Sequence, residues 1–327
     1  CIGLDAGPHL TSGCDYNLCL GYKTGPTTDT SNDSNKLYID AHGGINLGGI
    51  NALYAFTTHT FTNCGATGRN GPTLSDCISS YGESNNWWNN TSNFNVTGET
   101  GVNGIQVWTV PRTGNYTITA KGAREGWAAA DGGTGEGAII EATFLLTKGD
   151  KYMILVGQMG NAGDGTGNWW ASGGGGGTFM VKGDDYTSIT LSDALIVAGG
   201  GGGSSASGDG VGGVNVSTTY TGGDGANSSS DSTGGGQNSN IGSTNGGSGG
   251  GGLISNASAG NVLYMAYSFK NGGQGGGSSY TDPAGRGGFG GGGGAGGNPG
   301  GGGGGIYGGD WGYSGEQRGT YGNKGGK

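Results

Sequence analysis

Short segments that alternate apolar and polar residues run through the middle of the chain. FNVT (94–97), GIQVWTV (104–110) and NYTITAKG (115–122) follow the two-residue period of a half-buried β-strand. The remaining candidate strands are 137–147, 151–157, 178–182 and 194–199. The first two of these are dense enough in apolar residues to be inner strands. No segment shows convincing helical periodicity. The pattern therefore predicts an all-β sandwich or barrel over residues 54–198.

Residues 1–53 differ in composition from the rest and hold three of the five cysteines. Their strand signals are KLYID at 36–40 and, at the boundary, NALYAF at 51–56. A segment of this length buries too little apolar surface to fold alone. We expect it to be an arm. It packs either on the rest of the chain, which we predict to be a glycine-rich domain over 54–327, or on a neighbouring subunit.

Residues 199–327 consist mostly of glycine runs. An apolar interruption at 253–269 contains VLYMAYSF (262–269), which suits one more strand or a short helix. Glycine accounts for 87 of the 327 residues in the whole chain, whereas about 7% is usual.

Ordered glycine runs need a physical cause, because glycine loses the most backbone entropy on folding and has no side chain to bury. The remaining source of stability is pairing of backbone N–H and C=O groups. The polyproline II conformation points these groups outward, and bare glycine lets neighbouring segments approach closely. We therefore predict a bundle of polyglycine helices formed by the runs 173–177, 199–203, 249–252, 290–294 and 300–305.

The charge and hydropathy of the chain limit the classes of partner that it can bind. The net charge is −9, the pI is about 4.6, and the basic residues are scattered singly, so no nucleic-acid partner is expected. No apolar run of 18 residues predicts a transmembrane helix. The sequence begins at Cys1 rather than at a methionine, and we expect this to be a mature end left by processing.

The cysteines are not spaced for zinc or C-x-x-C redox chemistry. Disulfides in an oxidising compartment fit better, which predicts an extracellular or cell-surface protein. The odd count leaves one thiol over, and Cys1 could be free, bridged to another chain or lipidated. The five are Cys1, Cys14, Cys19, Cys64 and Cys77.

Eight N-x-S/T sequons mark candidate N-glycosylation sites. They begin at Asn32, Asn89, Asn90, Asn95, Asn115, Asn215, Asn227 and Asn256. Many sequons arise by chance in a chain this rich in Asn, Ser and Thr. The close group at 89–95 nevertheless predicts an exposed stretch.

Two tryptophan pairs stand in polar or glycine-rich surroundings and are candidates for an interface or glycan contact. They are Trp87 with Trp88 and Trp169 with Trp170. The alternative is that they cover glycine helices, which have no side chains of their own.

No catalytic, metal or cofactor site is predicted. The three histidines, His9, His42 and His59, have no acid partner nearby in sequence and are expected to be polar surface or capping residues. The acidic run at 29–40 has offsets like those of a calcium loop, but its sixth position is Ser34 where glycine is required, so a solvated loop is expected.

Several segments, in order, resemble the glycine-rich domain in the extracellular part of the anaplastic lymphoma kinase and leukocyte tyrosine kinase receptors. The first is HTFTNCGATGRNGPTLSDC at 59–77. The others are GIQVWTVPRTGNYTITAKGA, KYMILVGQMG, GGGGGTFMVK followed by LIVAGGGGG, and the glycine block at 287–310. The resemblance implies a tumour-necrosis-factor-like jelly-roll β-sandwich with an inserted bundle of polyglycine II helices. It also implies a disulfide between Cys64 and Cys77.

The same resemblance implies a binding module, since the receptors' domain receives a small basic cytokine. No kinase-like segment occurs within these 327 residues, so the resemblance implies the fold more directly than a receptor function.

Three functions are compatible with the sequence, and none is enzymatic. The first is a structural subunit of an extracellular filament, sheath or coat that self-assembles when the arm adds to the next subunit. The second is a ligand-binding ectodomain for a basic peptide or a sulphated glycan. The third is a phage or cell adhesin tip that displays loops on glycine helices.

Overall fold

The computed structural model describes 18–19, 37–39, 45–47, 52–82, 86–97, 104–126, 135–163, 171–204, 248–257, 265–278, 284–295 and 301–306. The chain divides into two compact units. One comprises Cys1–Phe56, Val110–Gly114 and Leu145–Gly149, and the other comprises the remaining residues.

The first unit contains a small antiparallel sheet, in the order β1-β2-β3. Its strands are β1 (Leu18–Cys19), β2 (Leu37–Ile39) and β3 (Ile45–Leu47). The strand predicted at 36–40 is confirmed by β2. The strand predicted at 51–56 is wrong for its described residues, 52–56, where the Leu53 N–H instead donates to the Pro111 carbonyl at 2.8 Å.

Seven strands are described in the rest of the chain. They are β4 (Phe94–Val96), β5 (Gln106–Thr109), β6 (Gly114–Lys121), β7 (Ile139–Leu146), β8 (Lys151–Leu155), β9 (Thr178–Lys182) and β10 (Ala194–Ala198). Each coincides with a segment that the apolar pattern predicted, although β6 begins one residue earlier, at Gly114. Five of them form an antiparallel sheet in the order β10-β9-β8-β5-β4, and β6 pairs with β7 in a separate two-stranded sheet.

The two-stranded sheet corrects one prediction. Thr117 and Thr143 share a hydrogen bond of 2.9 Å and Thr119 donates to Glu141 at 2.6 Å, so the strands run antiparallel. Residues along β7 alternate between exposed and half-buried as far as Leu145, Phe144 is half-buried, and only Leu146 at the end is fully buried. The strand is therefore not an inner strand. Its apolar residues occupy both faces, and one face is open to solvent.

The turns after β5 and before β8 carry the chain from one sheet to the other. Their sequences, PRTGN and TKGDK, are typical of hairpin turns, but β5 does not pair with β6 and β7 does not pair with β8. The two turns bond to each other instead. The Gly149 N–H donates to the Val110 carbonyl at 2.9 Å, and the Lys148 N–H donates to Thr113 Oγ1 at 2.9 Å.

One α-helix, α1 (Leu74–Tyr81), contradicts the expectation of no helix. Its N-cap is Thr73, whose N–H donates to Asp76 Oδ2 at 2.8 Å, while the Asp76 N–H donates to Thr73 Oγ1 at 3.2 Å. This reciprocal capping box is visible in the sequence as Thr-x-x-Asp. The apolar pattern does not predict this helix, because two turns are too short to show a helical period.

The strand alternative for 262–269 is also wrong for its described residues. Residues 265–268 are in no strand, and a single 3₁₀ turn follows at Phe269–Asn271. Residues 262–264 lie outside the described part of the chain.

One hydrophobic core joins the five-stranded sheet to the glycine-rich half of the chain. Alternate residues of β8 and β9 point into it, and four large apolar residues from beyond residue 250 complete it. These residues are Met153, Leu155, Phe179 and Val181 from the strands, with Leu253, Phe269, Phe289 and Ile306.

The glycine runs are buried and pair with one another. Each of the five predicted runs bonds through its backbone to another run. The donor–acceptor pairs include Gly174 N to Gly293 O at 2.9 Å, Gly175 N to Gly201 O at 2.8 Å, Gly200 N to Gly304 O at 2.8 Å, Gly203 N to Gly301 O at 2.7 Å and Gly251 N to Gly291 O at 2.7 Å. Backbone pairing therefore holds these runs, as the composition argument required.

Candidate interaction surface at the disulfide

A disulfide joins Cys64 to Cys77, with the two Cα atoms 4.8 Å apart. This confirms the pairing that the family resemblance implied. Cys77 lies in α1 and is fully buried. Cys64 has a positive φ of 51°, and its N–H donates to Thr62 Oγ1 at 3.1 Å. The bridge ties the loop before α1 to the helix itself.

Aromatic side chains surround the imidazole of His59. We call His59, Phe61, Tyr81, Trp87 and Trp88 the aromatic cluster. The ring of His59 lies 4.6 Å from that of Tyr81, 4.7 Å from Phe61 and 5.0 Å from Trp87, in edge-to-face arrangements. Such geometry stabilises aromatic pairs beyond simple area burial. The four rings around His59 pack against the disulfide.

The sequence expectation for His59, a polar surface or capping residue, is wrong. Burial lowers the pKa of His59 to about 4, because the apolar rings do not solvate an imidazolium. Its Nε2 is buried and makes no hydrogen bond to the described residues. The side chain is therefore neutral at physiological pH and serves as a packing element of the cluster.

A closed set of hydrogen bonds fixes the cluster to the sheet. The Tyr81 hydroxyl donates to Gln106 Oε1 at 2.6 Å, and Gln106 Nε2 donates to the Thr62 carbonyl at 2.8 Å. The Thr62 N–H donates back to the Tyr81 hydroxyl oxygen at 2.9 Å. Since Gln106 on β5 is fully buried, these bonds hold α1 and the loop of Cys64 rigidly on the sheet.

The pair Trp87 and Trp88 lies at the rim of the cluster. Both are half-buried in a 3₁₀ turn, Trp87–Asn89, and Trp88 Nε1 donates to the Gly82 carbonyl at 2.9 Å. They therefore cover the disulfide rather than glycine helices, and part of each indole faces solvent. Trp169 and Trp170 lie outside the described residues.

The sequon asparagines in the described residues differ in their exposure to solvent. Asn89, Asn90, Asn95 and Asn115 are exposed, whereas Asn256 is half-buried and its Oδ1 accepts from the Ser268 N–H at 2.9 Å. The sequons at Asn32, Asn215 and Asn227 lie outside the described residues, as do Cys1 and Cys14. Cys19 stands in β1 opposite Tyr38 of β2.

A buried carboxylate that the sequence reasoning missed lies among the glycine runs. Glu125 is 2% exposed. Its Oε1 accepts from the Gly135 N–H at 2.6 Å, and its Oε2 accepts from Ser172 Oγ at 2.6 Å and from the Ser204 N–H. Burial raises the pKa of Glu125, although these hydrogen bonds oppose the rise. One side chain thus connects three glycine-rich segments.

The described residues contain neither a metal-binding cluster nor a membrane-spanning helix. No three His, Cys, Asp or Glu side chains converge in a way that would hold a metal ion. A membrane-spanning helix needs at least 18 predominantly apolar residues, and no helix in the described part of the chain meets this requirement.

Part of the chain is similar to a known receptor. A region of 102 residues is 38% identical to the leukocyte tyrosine kinase receptor of the mouse, Mus musculus. It covers 31% of this chain and only 11% of the receptor, which supports a related domain and not a shared overall architecture. No protein-family model matches the chain.

Proposed function

We propose that this chain is an extracellular structural protein, a subunit of a filament, sheath or coat that self-assembles and does no catalysis. The disulfide and the similarity to a receptor support an extracellular location. We further propose that the paired glycine runs are polyglycine II helices and that the two sheets are the halves of a jelly-roll sandwich.

The observation that carries the assembly proposal is the small sheet of β1, β2 and β3. Its strands have only two, three and three residues. Strands this short cannot bury a core of their own, and isolated small sheets are marginal in water. The sheet therefore needs a further surface, and the adjoining subunit of an assembly supplies one.

The glycine core suits a structural role. Its segments are fixed by hydrogen bonds between backbone atoms, not by contacts between side chains. A scaffold of this kind is rigid and tolerates variation in its peripheral loops, as repeated extracellular assemblies require.

A single substitution in β2 tests the proposal. Tyr38 faces Cys19 on one side and Asn46 on the other, so β2 is the central strand. Proline there removes a ladder donor. We expect Tyr38→Pro to abolish assembly, as seen by electron microscopy and sedimentation, while the matched control Tyr38→Phe assembles. Assembly by Tyr38→Pro would contradict the role of this sheet.

A ligand-binding ectodomain is the second candidate, and the similarity to the receptor favours it. An acidic chain would bind a basic peptide through exposed carboxylates such as Glu136 and Glu141. Titration of an arginine-rich peptide by calorimetry tests this function. Saturable binding that weakens when both residues are changed to glutamine would support it, and no binding by the parent chain would reject it.

A further inference from the structure

The outer edge of the five-stranded sheet, strand β4, is closed by its own residues. Exposed edges carry N–H groups that invite unwanted pairing with other chains. Here the Phe94 N–H donates to the Asn90 carbonyl at 3.0 Å, and the Val96 N–H donates to Asn95 Oδ1 at 2.8 Å. On the inner side, the Thr97 N–H donates to the Ile105 carbonyl of the loop before β5 at 2.8 Å. Both outward-facing donors of β4 are thus engaged.

The side chain of Asn95 is fixed by this arrangement. The residue is exposed between two buried neighbours, Phe94 and Val96. Because Oδ1 holds the Val96 N–H, the amide nitrogen Nδ2, on the same carbon, points away from the backbone. Asn95, Val96 and Thr97 form a sequon.

We propose that Asn95 carries an N-linked glycan, which stands beside the β4 edge. In the transfer, Nδ2 loses a proton and forms a bond to C1 of the first sugar. The bond between C1 and a phosphate oxygen of a lipid diphosphate-linked oligosaccharide breaks, and the lipid diphosphate leaves. Oδ1 is not consumed, so its bond to the Val96 N–H persists in the glycosylated protein.

Asn256 provides the contrast within the same chain. Its Oδ1 accepts from the Ser268 N–H and from Asn271 Nδ2, both at 2.9 Å. The following residue, Ala257, is 2% exposed. Asn256 is half-buried beside this buried neighbour, whereas Asn95 is exposed, so we expect too little room for a sugar at Asn256 and no glycan there in the folded, secreted protein.

The proposal rests on the proposed extracellular location and is tested on the full chain, secreted from glycosylating eukaryotic cells behind a host leader. Glycopeptide mapping with and without peptide N-glycosidase reads each site separately. We expect Asn95 to be occupied and Asn256 to be empty. An unmodified Asn95, or an occupied Asn256, in the secreted protein would overturn the inference.

Variants of Thr97 provide the controls. Thr97→Ala destroys the sequon but keeps Asn95 and its bond to Val96, whereas Thr97→Ser preserves the sequon. After allowing for the substitution itself, we expect the intact mass of Thr97→Ala to show one glycan fewer and that of Thr97→Ser to show the same number as the parent; an unchanged number of glycans in Thr97→Ala would reject Asn95 as the site. Site occupancy is measured whether or not the protein assembles. A glycosylated monomer would therefore contradict the assembly proposal alone.

Discussion

Adding one methyl group to the glycine core should destabilise the protein strongly. A Cβ at Gly176 would overlap the carbonyl oxygen of Phe289. That oxygen accepts from the Gln158 N–H at 2.8 Å, and the Gly176 N–H donates to the Gln158 carbonyl at 2.9 Å. Gly176→Ala therefore forces the segment of Phe289 away from that of Gly176, although both are hydrogen-bonded to Gln158 between them.

The expected magnitude follows from two contributions. Overpacking a buried site costs about 1–3 kcal/mol. Weakening the two backbone hydrogen bonds adds about 1 kcal/mol for each. The sum, about 3–5 kcal/mol, is a large part of the roughly 5–15 kcal/mol that stabilises a typical domain.

Differential scanning calorimetry measures this effect. At roughly 2–4 °C per kcal/mol, Tm should fall by about 6–20 °C. Gly114→Ala is the matched control, because a Cβ there meets no heavy atom within 4 Å. Its Tm should stay within about 3 °C of the parent, or rise through the reduced entropy of the unfolded chain. Equal Tm values for the two variants would refute close packing of the glycine runs.

Three further predictions concern the disulfide and two titrating groups. Replacing Cys64 and Cys77 by alanine opens a loop of sequence separation 13 and should cost about 2–4 kcal/mol in denaturant unfolding, and a reducing agent should destabilise the parent chain by more than it destabilises the variant. Because burial lowers the pKa of His59 to about 4, stability should decline as pH falls from about 6.5 towards 4, and His59→Phe should lack that decline. Burial raises the pKa of Glu125, so the contribution of this side chain to folding stability is present at acid pH and is lost as pH rises through the folded-state pKa. Glu125→Gln should therefore flatten that part of the curve of stability against pH.

The strands could be predicted because short segments rich in apolar and β-branched residues are typical of strands, whether one face is exposed as in β6 or nearly every residue is buried as in β5 and β9. The segments around Val107, Ile118 and Val181 all proved to be strands, and the glycine runs proved to pair through their backbone. Sheet membership could not be predicted. The turns after Thr109 and before Lys151 look like hairpin turns, and only long-range pairing shows that they change sheets.

The candidate surface was harder to predict than the fold. The Cys64–Cys77 bridge followed from the family resemblance. Nothing local to His59 signals its aromatic surroundings, because Tyr81 and Trp87 reach it through tertiary packing. Glu125 was missed for the same reason: its partner Ser172 is 47 positions away in the chain.

Cryo-electron microscopy of the natural material, at its native concentration, tests the structural role most directly. The account predicts ordered filaments or sheets in which residues 1–53 of one subunit contact the next. Separate particles with those residues folded on their own subunit would contradict self-assembly and favour the ligand-binding alternative.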